Sequence, residues 1–574
     1  MGTVLLSYLQ GVCQSIKQRA EYIVTTGVSI ALFYALYGFK VLNPLYIDWL
    51  LAGGDPTQHY LGWALYRYSP FRLRLGLMNT AAYPYDTSII FTDSIPLMAV
   101  PCRFIGIFTD RQFQYFGIWG LACLVLMGIC TCFLIKRFTD NKLLIILSST
   151  LVTLSPCMLR RVFWHSSLGA HFVIIIGLIL IAYRNEMCDT PVRSGVRWAF
   201  LAFICAFIHI YYLAMTGIIL AGYILCVIID IRKDHTSETY SSIALKLLVP
   251  SAAFLLAAVA SIWFLGGFSS GMLSGAPGLG YYSFNLNGFF DPDGWSAFFK
   301  PLARYEDGQY EGFAYTGLGV LVMIISAIIV LGVSCIRKSD DRKLLNMIKD
   351  HSAFVSAMVF IFVITVIVSA SNEMTFGDKL LFKYCIPGFI ERIWSIFRAS
   401  GRLIWPAVYV LATASIIILC RSIDHRGLAL LIAMCVLLQI VEMKNIIKEK
   451  HTEFDTYTAY ENRLDDDAMT RLMSQNRIKH IVFLDKDNLK QEELYAFTEL
   501  ATRYRLTVND FYFARYLEYP VEETVYQNIL YSGDDALYVL TGRPYDSDDI
   551  EDLASMFDIR YYQYGNVLIG FKRP

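Results

Sequence analysis

The chain has 574 residues, 49 basic and 49 acidic side chains, and is 56% apolar and 15% aromatic. Its mean hydropathy of +0.46 and an apolar share above the roughly 45–50% of soluble domains exclude an ordinary soluble protein. No glycine loop that would cradle a phosphate and no nucleic-acid-binding pattern is present, so nucleic acid is not an expected partner.

Residues 1–22 are mixed and amphipathic, with no short apolar core ahead of a small-residue cleavage pattern. A cleavable signal is therefore not expected, and this stretch reads as a cytoplasmic N-terminus. The first apolar run covers 22–46. Further runs cover 116–135, 143–154, 173–183, 199–230, 247–265, 318–333, 353–368, 403–420 and 428–441. They cross, or nearly cross, a bilayer core of ~30 Å. The count is about eleven spans of ~20 residues. The expected fold class is an α-helical polytopic membrane protein over 23–443. Lys17 and Arg19, Lys136, Arg137 and Lys142, the segment 184–197, Arg232 and Lys233, the segment 337–349, and the segment 421–426 supply the basic loops that face the cytoplasm. The alternation closes if 94–108, broken by Pro96 and Pro101, does not cross. It then places 47–112, 160–167, 267–311, 371–402 and everything beyond Lys444 on the outer side.

The first outer loop holds Gly53-Gly54-Asp55-Pro56-Thr57-Gln58-His59-Tyr60-Leu61-Gly62-Trp63. A carboxylate at a membrane surface is expensive and so tends to have a task. Two glycines and a proline put Asp55 on a tight turn rather than in a regular helix. His59 and the aromatic residues that follow offer a shaped polar pocket. Asp93, in Phe91-Thr92-Asp93-Ser94-Ile95-Pro96, closes the same loop. The plainer alternative is that both acids cap turns or helices.

Further along, 266–280 is rich in glycine and serine and would suit a lid. The segments 281–292 and 309–315 alternate aromatic rings with Asn, Gln and Asp. Flat rings and short polar groups suit sugars, and Gln58, Tyr282, Asn285, Asn287, Tyr310 and Glu311 are the expected substrate contacts. An interfacial aromatic belt is the alternative. Near the mouth of a later span come Arg392, Arg398 and Arg402. The last two are four residues apart, which puts them on one face of a helix. Guanidinium forks match phosphate oxygens, so Arg398 and Arg402 are expected at a phosphate, with Arg160 and Arg161, beside Trp164 and His165, as a second basic patch. Snorkelling to lipid head groups is the alternative.

All thirteen cysteines lie between Cys13 and Cys435, mostly within apolar runs, so an outer disulfide scaffold is not expected. The nine histidines show no metal-ligand spacing. No metal ligands are assigned and no cofactor is called for, although a divalent metal stays open. From 444 to 574 the apolar runs shorten to strand length: 477–485, 536–541 and 559–572, the last with a hairpin turn at 564–566. Residues 491–503 and 548–557 have helical spacing. This is a small α/β domain with sixteen basic and twenty-four acidic side chains, about −8, which leaves about +8 on the rest. Two acidic clusters, 465–467 and 485–487, read as a helix start and a strand-end turn.

The outward Asp, about eleven spans, outer arginines and an outer C-terminal domain together resemble the GT-C superfamily of membrane glycosyltransferases. More narrowly, the stretch 53–63, Phe91 to Leu97, Gln309 to Tyr315 and Arg398 to Arg402 resemble a bacterial family of multi-pass proteins of unassigned function thought to be GT-C-like. The resemblance implies a polyprenyl-phosphate sugar donor, a cell-surface glycan or envelope polymer as acceptor, and inverting transfer on the outer face of the bacterial cytoplasmic membrane. It implies Asp55 as the base, Asp93 and His59 as groups that orient or tune it, and Arg398 and Arg402 on the departing phosphate. A lipid or polysaccharide transporter, which would place charges deep in several helices, and a non-catalytic envelope-assembly factor are the rival readings.

Overall fold

The computed structural model describes residues 19–233, 239–268, 278–336, 343–484, 489–513, 533–540, 555–556, 558–564 and 567–572. Among them, nine helices are long and apolar enough to cross a membrane, or ten if one bent pair counts as a span. In chain order the helices begin with α1 (Ala20–Tyr37), α2 (Gly54–Tyr68), α3 (Pro96–Ile105), α4 (Phe116–Lys136), α5 (Lys142–Thr153) and α6 (Phe172–Ala182). Then come α7 (Pro191–Ile208), α8 (Ile210–Lys233), α9 (Tyr240–Phe264), α10 (Leu318–Ile336), α11 (Ser352–Ala370), α12 (Trp405–Ser422) and α13 (His425–Glu442).

Among the described residues, the expected count of about eleven spans is not reached by length and composition. The runs at 143–154 and 173–183 form helices of only 12 and 11 residues; the first continues after a 48° bend through Pro156–Trp164. The run 199–230 divides at His209, the extended residue between α7 and α8. The segment around Pro96 and Pro101 is the ten-residue helix α3, too short to be a candidate span.

The basic loops meet at one end of the bundle. Buried Glu21 at the start of α1 takes Lys136 at 2.7 Å and Lys142 at 3.2 Å. Arg137 pairs with Glu186 at 2.9 Å, and Arg184 with Asp230 at 2.6 Å. Three helices that start at this end carry side-chain caps: Asn141 for α5, Thr190 for α7 and Asp424 for α13. Each cap satisfies backbone N–H groups that have no partner within the helix.

The other end carries the longer loops and the C-terminal part. Residues 444–456, expected to open a domain of strand-length runs, instead form a helix, α14 (Lys444–Thr456), packed on α1. Tyr37, Trp49, Phe163 and Phe454 interlock edge to face, with ring centroids 4.5–5.4 Å apart. Beyond α14 come α15 (Asp467–Gln475), capped by Asp466, and α16 (Gln491–Tyr504). The bundle's outer loops add two short hairpins, β1 (Leu77–Met78) with β2 (Thr87–Ser88), and β3 (Glu373–Phe376) with β4 (Lys379–Lys383).

The C-terminal sheet consists of β5 (His480–Phe483), β6 (Thr507–Val508), β7 (Ala536–Leu540), β8 (Ile559–Tyr564) and β9 (Val567–Lys572), in the order β6-β5-β7-β9-β8. The first three strands are parallel, β9 is antiparallel to β7, and β8 is antiparallel to β9. Residues 548–554 and 557 of the expected helix at 548–557, the turn residues 565–566, the acidic turn 485–487 and the core of the glycine-rich lid, 269–277, lie outside the described residues. The sheet is tied to the bundle. Thr80 and Tyr83 exchange backbone hydrogen bonds with Val508 at 2.8 and 2.9 Å, and Tyr83 stacks on His480 at 3.7 Å. Helix α16 lies against α2, where the Tyr495 hydroxyl donates to the Gly54 carbonyl at 3.3 Å.

Candidate functional site

Asp55 lies in the first turn of α2, not on an isolated turn. Proline tolerates that place because N–H groups of the first turn have no helical partner anyway. The same turn suits a carboxylate, since the N-terminal end of a helix is positive. The Gly53 N–H donates to Thr57 Oγ1 at 2.8 Å and tightens the start. Asp55 is half-buried, and among the described residues none pairs with its carboxylate. Burial pushes its pKa up to about 6; Arg402 and Arg161 pull it down, and Glu311 and Asp93 push it up.

About two turns further, α2 touches the loop that carries Asp93. A Cβ on Gly62 would come within 2.4 Å of Thr92 Cβ and 2.8 Å of Ser94 Oγ, so only glycine permits this approach. Ser94 Oγ then donates to the His59 carbonyl at 2.7 Å. Asp93 and Ile95 both hold positive φ, 55° and 51°. For a β-branched residue this is a true outlier, and strain of that kind gathers at functional sites.

Asp93 is buried and meets three histidines from distant segments. His209 Nε2, at the break between α7 and α8, lies 3.0 Å from Asp93 Oδ1. His165 Nε2 lies 3.7 Å from Oδ2. The His59 and His165 rings are 4.8 Å apart, and one ligand atom from each of His59, Asp93 and His165 falls within 4.8 Å of the others. Burial opposes the charge on Asp93, yet its hydrogen bond from His209 and the nearby positive groups hold its pKa below the usual carboxylate value. Burial pushes His59 down to about 4 and His165 well below its ordinary value, so both are neutral. His59 was expected to tune Asp55; it sits one turn away on the same helix, facing Asp93 and His165 instead.

Glu311 supplies the second half of the site. Its carboxylate accepts from Arg402 Nη2 at 2.6 Å and Nε at 3.1 Å, and from Arg161 Nη2 at 2.8 Å; all three side chains are almost wholly buried. Burial works against its ionisation, but the two guanidiniums more than offset that and hold the carboxyl well below its usual range. The backbones behind these side chains nearly touch. A Cβ on Gly401 would meet Gly312 Cα at 2.8 Å, so Glu311 and Arg402 are set side by side by two adjacent glycines. Arg402 also lies over the Tyr211 ring at 5.2 Å and Arg161 over Trp405 at 5.7 Å.

Several expected contacts take other roles. Arg398 and Arg402 do not share a helix: Arg398 is in an irregular turn and Arg402 in the 3-10 segment Ser400–Ile404. Ala399, between them, donates its N–H to Tyr211 Oη at 2.8 Å, which fixes the break. Arg402 and Arg161 are engaged by Glu311, and Arg160 by Asp293 in a pair shared with Arg304. Arg398 is exposed, donates to Tyr282 Oη at 2.8 Å and lies over that ring at 4.7 Å. Gln58 is buried and Tyr310 is 41% exposed. Asn285 and Asn287 tie loops together, donating to Gln309 Oε1 at 2.9 Å and to the Ala303 carbonyl at 3.0 Å. Glu442, at the end of α13, accepts from Ser296 Oγ and the Leu318 N–H, both at 2.7 Å, and from Tyr315. His209 and the Arg161–Glu311–Arg402 trio went unpaired in the sequence because their segments are far apart in the chain.

Comparison with known families matches the profile of a domain of unknown function (DUF6311) to residues 26–444. The chain belongs to the DUF6311 family. The DUF6311 C-terminal domain matches residues 469–572, the part that holds the mixed sheet, so both halves of the chain are DUF6311 units. No curated protein matches the chain.

Proposed function

We propose that this member of the DUF6311 family is a membrane glycosyltransferase of the GT-C kind. It would move a sugar from a polyprenyl-phosphate donor to a glycan or envelope-polymer acceptor at the outer face of a bacterial cytoplasmic membrane. Asp55 is the observation that carries the reading: a half-buried carboxylate with no partner among the described residues, its pKa pushed up to about 6 by burial, at the start of a buried helix and within electrostatic reach of Arg402, Arg161 and Glu311. Such a group is ionised at neutral pH and basic enough to take a proton. In the reaction Asp55 accepts the acceptor hydroxyl's proton as that oxygen attacks the anomeric carbon. The bond to the phosphate breaks on the opposite face, and the phosphate leaves with the electron pair.

The charges around Asp55 suit that sequence. Two arginines against Glu311 leave a net positive charge where negative charge develops on the leaving group. Arg398, exposed and without an acid partner among the described residues, is the guanidinium free to meet the donor phosphate, and Tyr282 holds its approach. The gathering of the basic loops at the opposite end supports an outer placement of this end and of the C-terminal sheet. The test compares surface glycans and lipid-linked sugars of a strain lacking this chain with those of its parent. The reading expects loss of one surface sugar with its polyprenyl-phosphate donor retained. Unchanged glycans and donor pools would overturn it.

A further inference from the structure

We propose that His59, His165 and Asp93 bind one divalent transition-metal ion of the zinc class, with His209 positioning Asp93. The inference stands on the geometry of these four side chains and does not depend on the glycosyl-transfer reading.

The hydrogen-bond inventory gives the argument. The Tyr211 N–H donates to His209 Nδ1 at 3.2 Å, so the neutral ring carries its proton on Nε2 and gives it to Asp93 Oδ1 at 3.0 Å. That bond accounts for His209 and for one oxygen of Asp93. It does not account for the rest. His165 Nδ1 is engaged with Ser167 Oγ at 3.2 Å, which leaves Nε2 facing Asp93 Oδ2 across 3.7 Å. This gap is too long for a hydrogen bond. It is close to the ~3.3 Å edge between two ligand atoms held at ~2.0–2.1 Å on a tetrahedral ion. His59 is fully buried, and neither of its ring nitrogens has a hydrogen-bond partner. Leaving such a group unsatisfied is costly, yet a ligand atom of this ring lies within 4.8 Å of those of Asp93 and His165. A cation among the three would take one ring nitrogen of His59, Nε2 of His165 and Oδ2 of Asp93.

The donor set names the class of ion. Two imidazoles and one carboxylate suit zinc, cobalt or iron, whereas magnesium and calcium favour oxygen ligands and retained water. Three protein ligands leave a fourth position open, the pattern of catalytic rather than structural zinc. Orienting partners stand behind two of the three ligands: Ser167 behind His165, and His209 behind Asp93, itself fixed by Tyr211. Asp55 and the Glu311 cluster lie close enough to Asp93 to influence one another's charge.

The test uses the full chain in detergent, stripped with a chelator and then dialysed against zinc or cobalt alone. The expected result is about one bound equivalent, with the visible absorption of four-coordinate cobalt. His59→Ala and His165→Ala should each abolish stoichiometric binding. His209→Ala should weaken it ~10–100-fold, as loss of an orienting partner does, and His425→Ala, at an exposed histidine far from the site, should leave it unchanged. Where a variant does not fold, the parent's own cobalt spectrum decides: a four-coordinate band supports the site, and the spectrum of hydrated cobalt overturns it. Less than a tenth of an equivalent in the parent, or equal binding in a folded His59→Ala/His165→Ala protein, also overturns it.

Discussion

Replacing Glu311 by Gln keeps the size of the side chain and removes its charge. Glu311 accepts three hydrogen bonds from two buried guanidiniums, at 2.6, 3.1 and 2.8 Å. The variant would leave Arg161 and Arg402 facing each other without an anion. Breaking a buried pair by removing one partner costs about 3–5 kcal/mol, because a charge is stranded. The half-exposed pair Arg72–Asp86 provides the comparison: its side chains are 36% and 32% exposed, and surface pairs contribute about 0–1 kcal/mol. Unfolding of detergent-solubilised Glu311→Gln, followed by tryptophan fluorescence, should therefore show a several-fold larger loss than Asp86→Asn. In Arg402→Gln/Glu311→Gln the loss should be smaller than the sum of the single changes by more than about 1 kcal/mol, since groups in one network do not add. The pH dependence has a definite sign. Glu311 has a folded pKa held below its unfolded value of about 4.3, so its contribution is fully present above that value and disappears as pH falls through the folded one. Additive single losses, or a Glu311→Gln protein no less stable than Asp86→Asn, would refute the reasoning.

Three further outcomes follow from the geometry. Transfer should fall as pH drops through about 6, where Asp55 takes up a proton and loses its basicity; a profile flat between pH 5 and 7 (about one unit either side of that pKa) would contradict the role. Arg398→Ala should raise the KM for donor with little change in kcat, because Arg398 is exposed and, among the described residues, partners only Tyr282; an unchanged KM would remove it from the phosphate. Gly62→Ala should destabilise by about 1–3 kcal/mol, as overpacking does, because its methyl would lie 2.4 Å from Thr92 Cβ; a thermal unfolding midpoint equal to the parent's would contradict this close approach.

What the sequence disclosed was whatever periodicity and composition encode. The long apolar runs became helices, and the stretches around 480, 538 and 559–572 became strands. Helix ends were harder. Gly53, Gly54, Asp55 and Pro56 are the residues of turns and of helix first turns alike, so a turn was inferred where α2 begins. The spacing of Arg398 and Arg402 implied one helix face, but the bond from Ala399 to Tyr211 breaks the helix between them. Partners across the fold left no local trace. Glu311 looked like a sugar contact until two arginines from other segments closed on it. His165 and His209 carried no ligand spacing, because their register is set by the bends at 154–156 and at His209 that bring them to Asp93.

The central claim is that Asp55 is the base. The decisive measurement is sugar transfer from a polyprenyl-phosphate donor by purified Asp55→Asn, with folding and donor binding checked in the same sample. A positioned base contributes ~10²–10⁴-fold, so turnover should fall by about that factor while donor binding persists through the arginines. A folded Asp55→Asn protein that transfers sugar at the parental rate would contradict the account.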